Sequence, residues 1–438
     1  MRFRLIDIEL AEPIVSPDGL DGYAAVRALV RMHGAPLGFI DLPVERGSCS
    51  PERLREAIAQ QLERELLAHL KTREGRAETR QGLADPGSLL RDSQLHELAG
   101  EPPPPHEGPW PSMTIAICTR DRPADLALCL DSVTALEYPG LEVLVVDNAP
   151  GDDSTERLVA ARHPRVRYTC ERRPGLDRAR NHAVRAAVGE VIAFTDDDVI
   201  VDPGWALALG AAFATASPDV MAVAGAVVPF ELETDAQLHF ERYGGFTIGF
   251  ERAELRGGED WGVRGVWHYA NMAQRFTGAN LAFRRRVFDE VGLFDPALDV
   301  GTATNGGGDI EMLFRVLKEG YAIVYEPRAL VRHRHRREPR DLEHQISGWG
   351  TGYTAFLMRS ALAYPAAAWV LLLLGVRGFW NQLGRLAASL ADSPGFPRRL
   401  LLTEAIGQLR GPLCFWRSRR RGRILDRGRA PERDRVAR

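Results

Sequence analysis

Lysine is nearly missing from this chain. Of 56 strongly basic residues only Lys71 and Lys318 are lysines, so positive charge is carried by arginine. Cysteine is scarce as well: Cys49, Cys118, Cys129, Cys170 and Cys414 are scattered, with no CxxC pair and no disulfide grid, which fits a reducing cytoplasm. Met1 to Asp7 lacks the apolar core of a signal peptide. The longest uncharged stretch, Ser360 to Val376, has Pro365 near its start and Arg377 just after it. It is short for a bilayer span and is expected to be a buried or interfacial helix. A net charge of −3 leaves partners undecided, but the 438 residues, 45% hydrophobic, can bury a sizeable core.

What is present is punctuated clearly. A stiff segment, Glu101 to Pro109 with four consecutive prolines, divides the chain. Before it, strands flank the His33-Gly34-Ala35-Pro36 turn, and Ser50-Pro51 opens a helix with a cap and a first-position proline. The expected organisation is a small α/β accessory domain over 1–100, a linker over 101–111 and a catalytic domain over 112–345. A helical, membrane-peripheral region over 346–423 and a disordered basic tail over 424–438 complete it.

From Thr114 onward apolar runs alternate with helical patterns, which predicts an α/β fold whose mostly parallel sheet is covered by helices. Three strand ends carry polar clusters: Thr119-Arg120-Asp121-Arg122, Asp147-Asn148 and Asp196-Asp197-Asp198. Open sheets bind ligands at that edge. Adjacent carboxylates raise one another's pKa unless a cation neutralises them, and hard oxygen ligands select Mg²⁺ or Mn²⁺. The first strand is followed by CTRDRP, with neither GxGxxG nor a P-loop lysine, which removes the dinucleotide and P-loop readings.

The stretch from Met113 to Gln345 resembles the family 2 glycosyltransferases of GT-A fold. The matching residues are Cys118 to Pro123, Val145 to Ala149, Gly175 to Asn181, the Asp triplet, Phe276 to Arg285 and Gly308 to Glu311. The resemblance implies inverting transfer of a sugar from a nucleotide-diphosphate donor, with Mn²⁺ or Mg²⁺. It implies that Asp147, Thr119, Arg120 and Asp121 line the base and ribose. Arg180, Asp196, Asp197, Gly278, Ala279 and Asn280 would complete the donor site, and Asp198 with His333 would hold the metal. His335 shares its strand face and is a weaker metal candidate.

Inversion needs a base opposite the leaving group, and Asp309 fills that place, with Glu311 as an acceptor-side or backup base. The family pattern has Glu-Asp where this chain has Gly308-Asp309, which preserves the base and removes an acceptor contact. Gln345-Ile346-Ser347-Gly348-Trp349 is similar to the QxxRW motif of processive synthases but has Gly for Arg, against processive polymerisation. The acceptor is expected to be a glycan, a lipid-linked molecule or a small molecule with a free hydroxyl. Two rival readings are a nucleotidyltransferase on a similar sheet and a catalytically silent glycan-binding protein.

The last 41 residues, Arg398 to Arg438, hold thirteen arginines against four acids. With Leu413, Phe415 and Trp416 beside them, they suit an anionic membrane surface on the cytoplasmic side. No recognition module for nucleic acid accompanies the run.

Overall fold

Strand β1 (Phe3–Glu9) runs parallel to β2 (Ala25–Met32), which pairs antiparallel with β3 (Ala35–Pro43). The reversal between β2 and β3 uses His33 and Gly34, both at positive φ. Ser50 caps α1 (Pro51–Gln61), its hydroxyl accepting from the Arg53 amide at 3.4 Å, and α2 (Glu63–Glu74) follows. This is a computed structural model describing residues 1–74, 106–258, 263–273, 275–392 and 397–427. Linker residues 101–105 and tail residues 428–438 therefore lie outside the described residues.

The small sheet is clamped to the rest of the chain. Arg31 pairs with Asp202 at 2.5 Å, Arg332 with Asp7 at 2.5 Å, and the Tyr23 hydroxyl donates to Glu233 at 2.7 Å. Phe3 forms a backbone bridge with Leu232.

In the large sheet β4 (Met113–Thr119), β5 (Leu141–Asn148), β6 (Arg167–Glu171) and β7 (Val191–Asp196) are parallel, in spatial order β7-β4-β5-β6. Between them run α3 (Pro123–Thr134), α4 (Ser154–Arg162) and α5 (Leu176–Ala186), where the apolar periodicity places them. Beyond the Asp triplet come β8 (Val199–Val201), α6 (Trp205–Thr215), β9 (Val220–Pro229), α7 (Asp235–Tyr243) and β10 (Ala253–Arg256). Then follow α8 (Val263–Ala273), β11 (Asn280–Arg284), α9 (Val287–Glu290), α10 (Gly308–Lys318) and β12 (Ala322–His333). This half is mixed: β11 lies antiparallel between β7 and β9, whereas β9 and β12 are parallel. Alternate residues of the central strands feed two apolar layers, Ala116, Leu144 and Phe194 on one face and Ile115, Val145 and Ala193 on the other.

β12 slips register between Glu326 and Leu330. Asn280 lies across this bulge, its side-chain amide donating to the carbonyls of Ala226 at 2.9 Å and Ala329 at 2.8 Å. Its carbonyl oxygen accepts from the Trp205 indole at 2.8 Å. Gly225 is required beside it, because a Cβ there would sit 2.1 Å from the Ala329 carbonyl oxygen.

After the sheet come α11 (Pro339–Ala363), α12 (Ala368–Asp392) and α13 (Arg398–Arg427). The single helix expected over Ser360 to Val376 is instead broken: α11 ends at Ala363 and Pro365 opens a short 3₁₀ turn before α12. α13 reaches Arg427, four residues into the stretch expected as tail. Glycines let α11 and α13 touch backbone to backbone. A Cβ at Gly350 would meet the Glu404 carbonyl oxygen at 2.3 Å, and one at Gly407 the Ser347 oxygen at 2.5 Å. Pro412 lacks the amide that would bond Gln408 one turn back, and the Thr354 hydroxyl of α11 takes that carbonyl at 2.7 Å.

Candidate active site

Pairing register brings the strand-end groups together. Thr119 stands opposite Asp147, and Cys118 opposite Asp196, so the ends of β5, β4 and β7 open on one edge. The three acids then diverge. Asp197 turns back to β4, accepting from the Thr119 hydroxyl at 2.7 Å and from Arg122 at 3.2 Å. Asp198 faces His333 at 3.3 Å, Arg122 at 3.3 Å and Arg336 at 3.4 Å.

These partners separate the pKa values. Burial, then the neighbouring Asp198, pushes Asp196 up to about 7, and burial pushes Asp197 up to about 6. Burial also opposes ionisation of Asp198, but His333, Arg336 and Arg122 outweigh it and hold that carboxyl below its ordinary value. His333 is pushed down to about 4 by burial. A neutral imidazole is the ligating form. Asp196, Asp198 and His333 each offer a ligand atom within 4.8 Å of one another, and the buried His333 Nδ1 has no hydrogen-bond partner among the described residues. Two hard oxygens and one nitrogen suit Mn²⁺ or Mg²⁺. His335 is turned away to Glu241, at 2.9 Å, against the Phe240 ring.

Asp147 is fully buried. One oxygen accepts from the Tyr168 hydroxyl at 3.0 Å, while the other is buried without a partner among the described residues. Burial raises its pKa. Asp121, at positive φ, accepts from the Gly151 amide at 2.7 Å and so ties together the loops that follow β4 and β5. Arg120 is exposed and within 3.6 Å of Asp121.

Across the cleft, Asp309 occupies the first turn of α10, accepting from the Gly278 amide at 2.8 Å. Gly278 has no room for a side chain, since a Cβ would lie 2.2 Å from Arg180 and 3.2 Å from Asp309. Arg180 is buried beneath it and pairs with Asp177 at 3.2 Å. Asp177 is itself buried, its pKa raised by burial and then by Asp299 and Asp309. It explains Gly308: a Cβ there would stand 1.9 Å from Asp177 Oδ2, so the glutamate of the family pattern does not fit.

Three sequence expectations change. Thr119 spends its hydroxyl on Asp197 and braces the triplet rather than facing a base. Asn280 is 1% exposed with every described bond spent on the sheet bulge, so its side chain does not reach a donor. Glu311 is fully buried and held by Arg315 at 2.8 Å and Arg359 at 2.6 Å, which excludes it as a base. Arg122, Arg336, Tyr168 and Asp177 were not among the expected site residues. Only Arg122, beside a strand-end cluster, carried a local signal.

Asn280→Ala is expected to leave two carbonyls and the Trp205 indole unsatisfied in the core, a loss of about 3–5 kcal/mol. Urea unfolding measures it, with nucleotide affinity of the folded fraction unchanged. An unaltered midpoint beside weakened nucleotide binding would return Asn280 to the donor site.

Residues 114–292 match the profile of Glycosyl transferase family 2. A glucosyl-dolichyl phosphate glucuronosyltransferase of Haloferax volcanii is 25% identical over 232 residues, 51% of this chain and 69% of its own length. A pre-mycofactocin glycosyltransferase of Mycobacterium tuberculosis is 26% identical over 333 residues, 70% of this chain and 63% of that protein. Among solved structures, a mannosyltransferase from Pyrobaculum calidifontis in complex with GDP-Man and Mn²⁺ is 19% identical, with a TM-score of 0.44 over 69% of this chain and 91% of that one.

Proposed function

We propose, from the match of residues 114–292 to Glycosyl transferase family 2, that the chain inverts the anomeric carbon of a nucleotide-diphosphate sugar while moving that sugar to a hydroxyl acceptor, a glycan, a lipid-linked molecule or a small molecule. The observation that carries the reading is the placement of Asp196, Asp198 and His333 at the sheet edge that also holds Asp147, with Asp309 facing them from α10.

Asp147 takes the nucleotide base through its unpartnered oxygen, with Tyr168 fixing the carboxylate's orientation. Arg120 and Asp121 border the ribose, and Asp196 its hydroxyls. Asp198 and His333 hold a divalent cation, which when bound offsets the charge developing on the departing diphosphate. Arg122 and Arg336, already at Asp198, lie where guanidinium groups meet phosphate oxygens. Gly278 and Ala279 let backbone approach the sugar closely. Arg180 supports that turn from below and neutralises the buried Asp177.

Asp309 takes the acceptor proton as its oxygen attacks the anomeric carbon. The Gly278 amide holds one carboxylate oxygen at 2.8 Å and the Ile310 amide the other at 2.9 Å, which fixes the plane of the group while a lone pair on each oxygen stays available. The test is a screen of nucleotide sugars with Mn²⁺ or Mg²⁺, followed by NMR of the product's anomeric configuration. Metal-dependent turnover with inversion is expected. Retention of configuration would reject the mechanism, and pyrophosphate release from a nucleoside triphosphate would favour nucleotidyl transfer.

A further inference from the structure

We propose that α12 and α13 form one surface that lies flat on an anionic phospholipid membrane, extending the reading of a lipid-linked acceptor to a named part of the molecule. Two helical stripes carry the inference. On α12, Trp369, Leu372, Leu373, Val376 and Trp380 are all more than half exposed. Their spacing of three and four residues places them on one side of the helix. On α13, Leu402, Leu409, Leu413 and Trp416 repeat the pattern, with Leu409 66% exposed. Leu372 and Val376 from one helix and Leu409 and Pro412 from the other line the same apolar groove, so both stripes face one side of the protein. An apolar area of this extent is rare on a free surface and marks a contact.

Charge selects the occupant. Helices α12 and α13 contain eleven arginines against three acids, Asp392, Glu404 and Asp426. Arg419, Arg420 and Arg423 continue the α13 stripe beyond Trp416, and Arg419 stacks on that ring at 5.8 Å. A second copy meeting this face through a twofold axis would bring a strong excess of arginine against arginine. Lipid phosphates supply the missing charge, and tryptophans suit the headgroup boundary. Among the described residues no helix is long and apolar enough to cross a membrane. Two apolar stripes spanning about 16 and 21 Å of helix lie along the surface instead.

Flotation of the full chain tests this, with vesicles of phosphatidylcholine alone and of phosphatidylcholine with phosphatidylglycerol. The wild type is expected to float with the anionic vesicles and less with the neutral ones. Leu372→Glu with Leu409→Glu should weaken binding about 100-fold or more, from the lost burial of two leucines. Arg419→Gln, Arg420→Gln and Arg423→Gln together should cost about fivefold each on anionic vesicles at low salt and nothing on neutral ones. This second set changes only exposed or half-exposed arginines and decides the matter if the first misfolds by thermal melting. Failure of the wild type to float, or variants that float as well as it does, overturns the proposal. A lipid-free dimer dissolved by the leucine changes would assign the face to a second copy and overturn it too. Flotation needs no sugar transfer, so it stands or falls separately from the catalytic reading.

Discussion

Asp309→Asn is expected to bind nucleotide and metal as the wild type does while single-turnover transfer falls by about 10²–10⁴-fold. That range is typical for loss of a general base and corresponds to about 3–5 kcal/mol of barrier. The amide keeps the shape of the carboxylate, and its one oxygen can still accept from the Gly278 amide while the bond from the Ile310 amide is lost, so a modest loss of stability is expected with the fold around Arg180 and Gly278 intact. Glu311→Gln supplies the contrast. Two residues along a helix turn a side chain about 200° away, and Glu311 lies in the core between Arg315 and Arg359. Its change should lower stability and leave the rate per folded molecule within a small factor. Rapid-quench transfer and urea unfolding on both variants separate the two effects. A nearly active Asp309→Asn beside a stable but inactive Glu311→Gln would reverse the assignment.

Asp198→Ala is expected to abolish the metal dependence of nucleoside-diphosphate binding. Loss of an outer-shell partner alone costs metal sites roughly 10–100-fold, and removal of a ligand should exceed that. The alanine also leaves His333, Arg122 and Arg336 without the carboxylate they surround, so Asp198→Asn is the companion that keeps their hydrogen bonding. Calorimetric titration with UDP or GDP, with and without Mn²⁺, reads both variants. Undiminished Mn²⁺-dependent affinity would remove Asp198 from the metal site.

The edge at which β4, β5 and β7 end was legible in the sequence because its signals are local. Apolar runs that end in Thr119, Asp147 and Asp196 state where strands stop, and parallel neighbours must stop together. Asp309 was legible for the same reason, as an acid opening a helix after three glycines. What could not be read depends on distant pairing. Asn280 resembles a donor contact until β12 slips register nearly fifty residues later and claims its amide. Thr119 became a brace because Asp197, in the turn just after β7, points back toward it. Glu311 is different: its position relative to Asp309 already put the two side chains on opposite faces of α10, and the pattern of Leu313, Phe314, Val316 and Leu317 marked which face was buried. Gly308 gained its explanation only from Asp177, on a helix more than a hundred residues earlier.

The close seam between α11 and α13 has a mechanical consequence. α11 also presses Gly352 against the backbone of Gly306 and Gly307, and Gly348 against Asn305, in the loop that delivers Asp309. One helix therefore braces both the loop that carries Asp309 and the arginine-bearing α13. With so little space for slippage on either side of α11, the separation between Asp309 and α13 is set by helix thickness, as in a gauge block. On the proposed reading, with Asp309 as base and α13 on a membrane, an acceptor hydroxyl would have to project to a fixed height, which would make the length of its stalk a criterion of selection separate from the identity of its sugar.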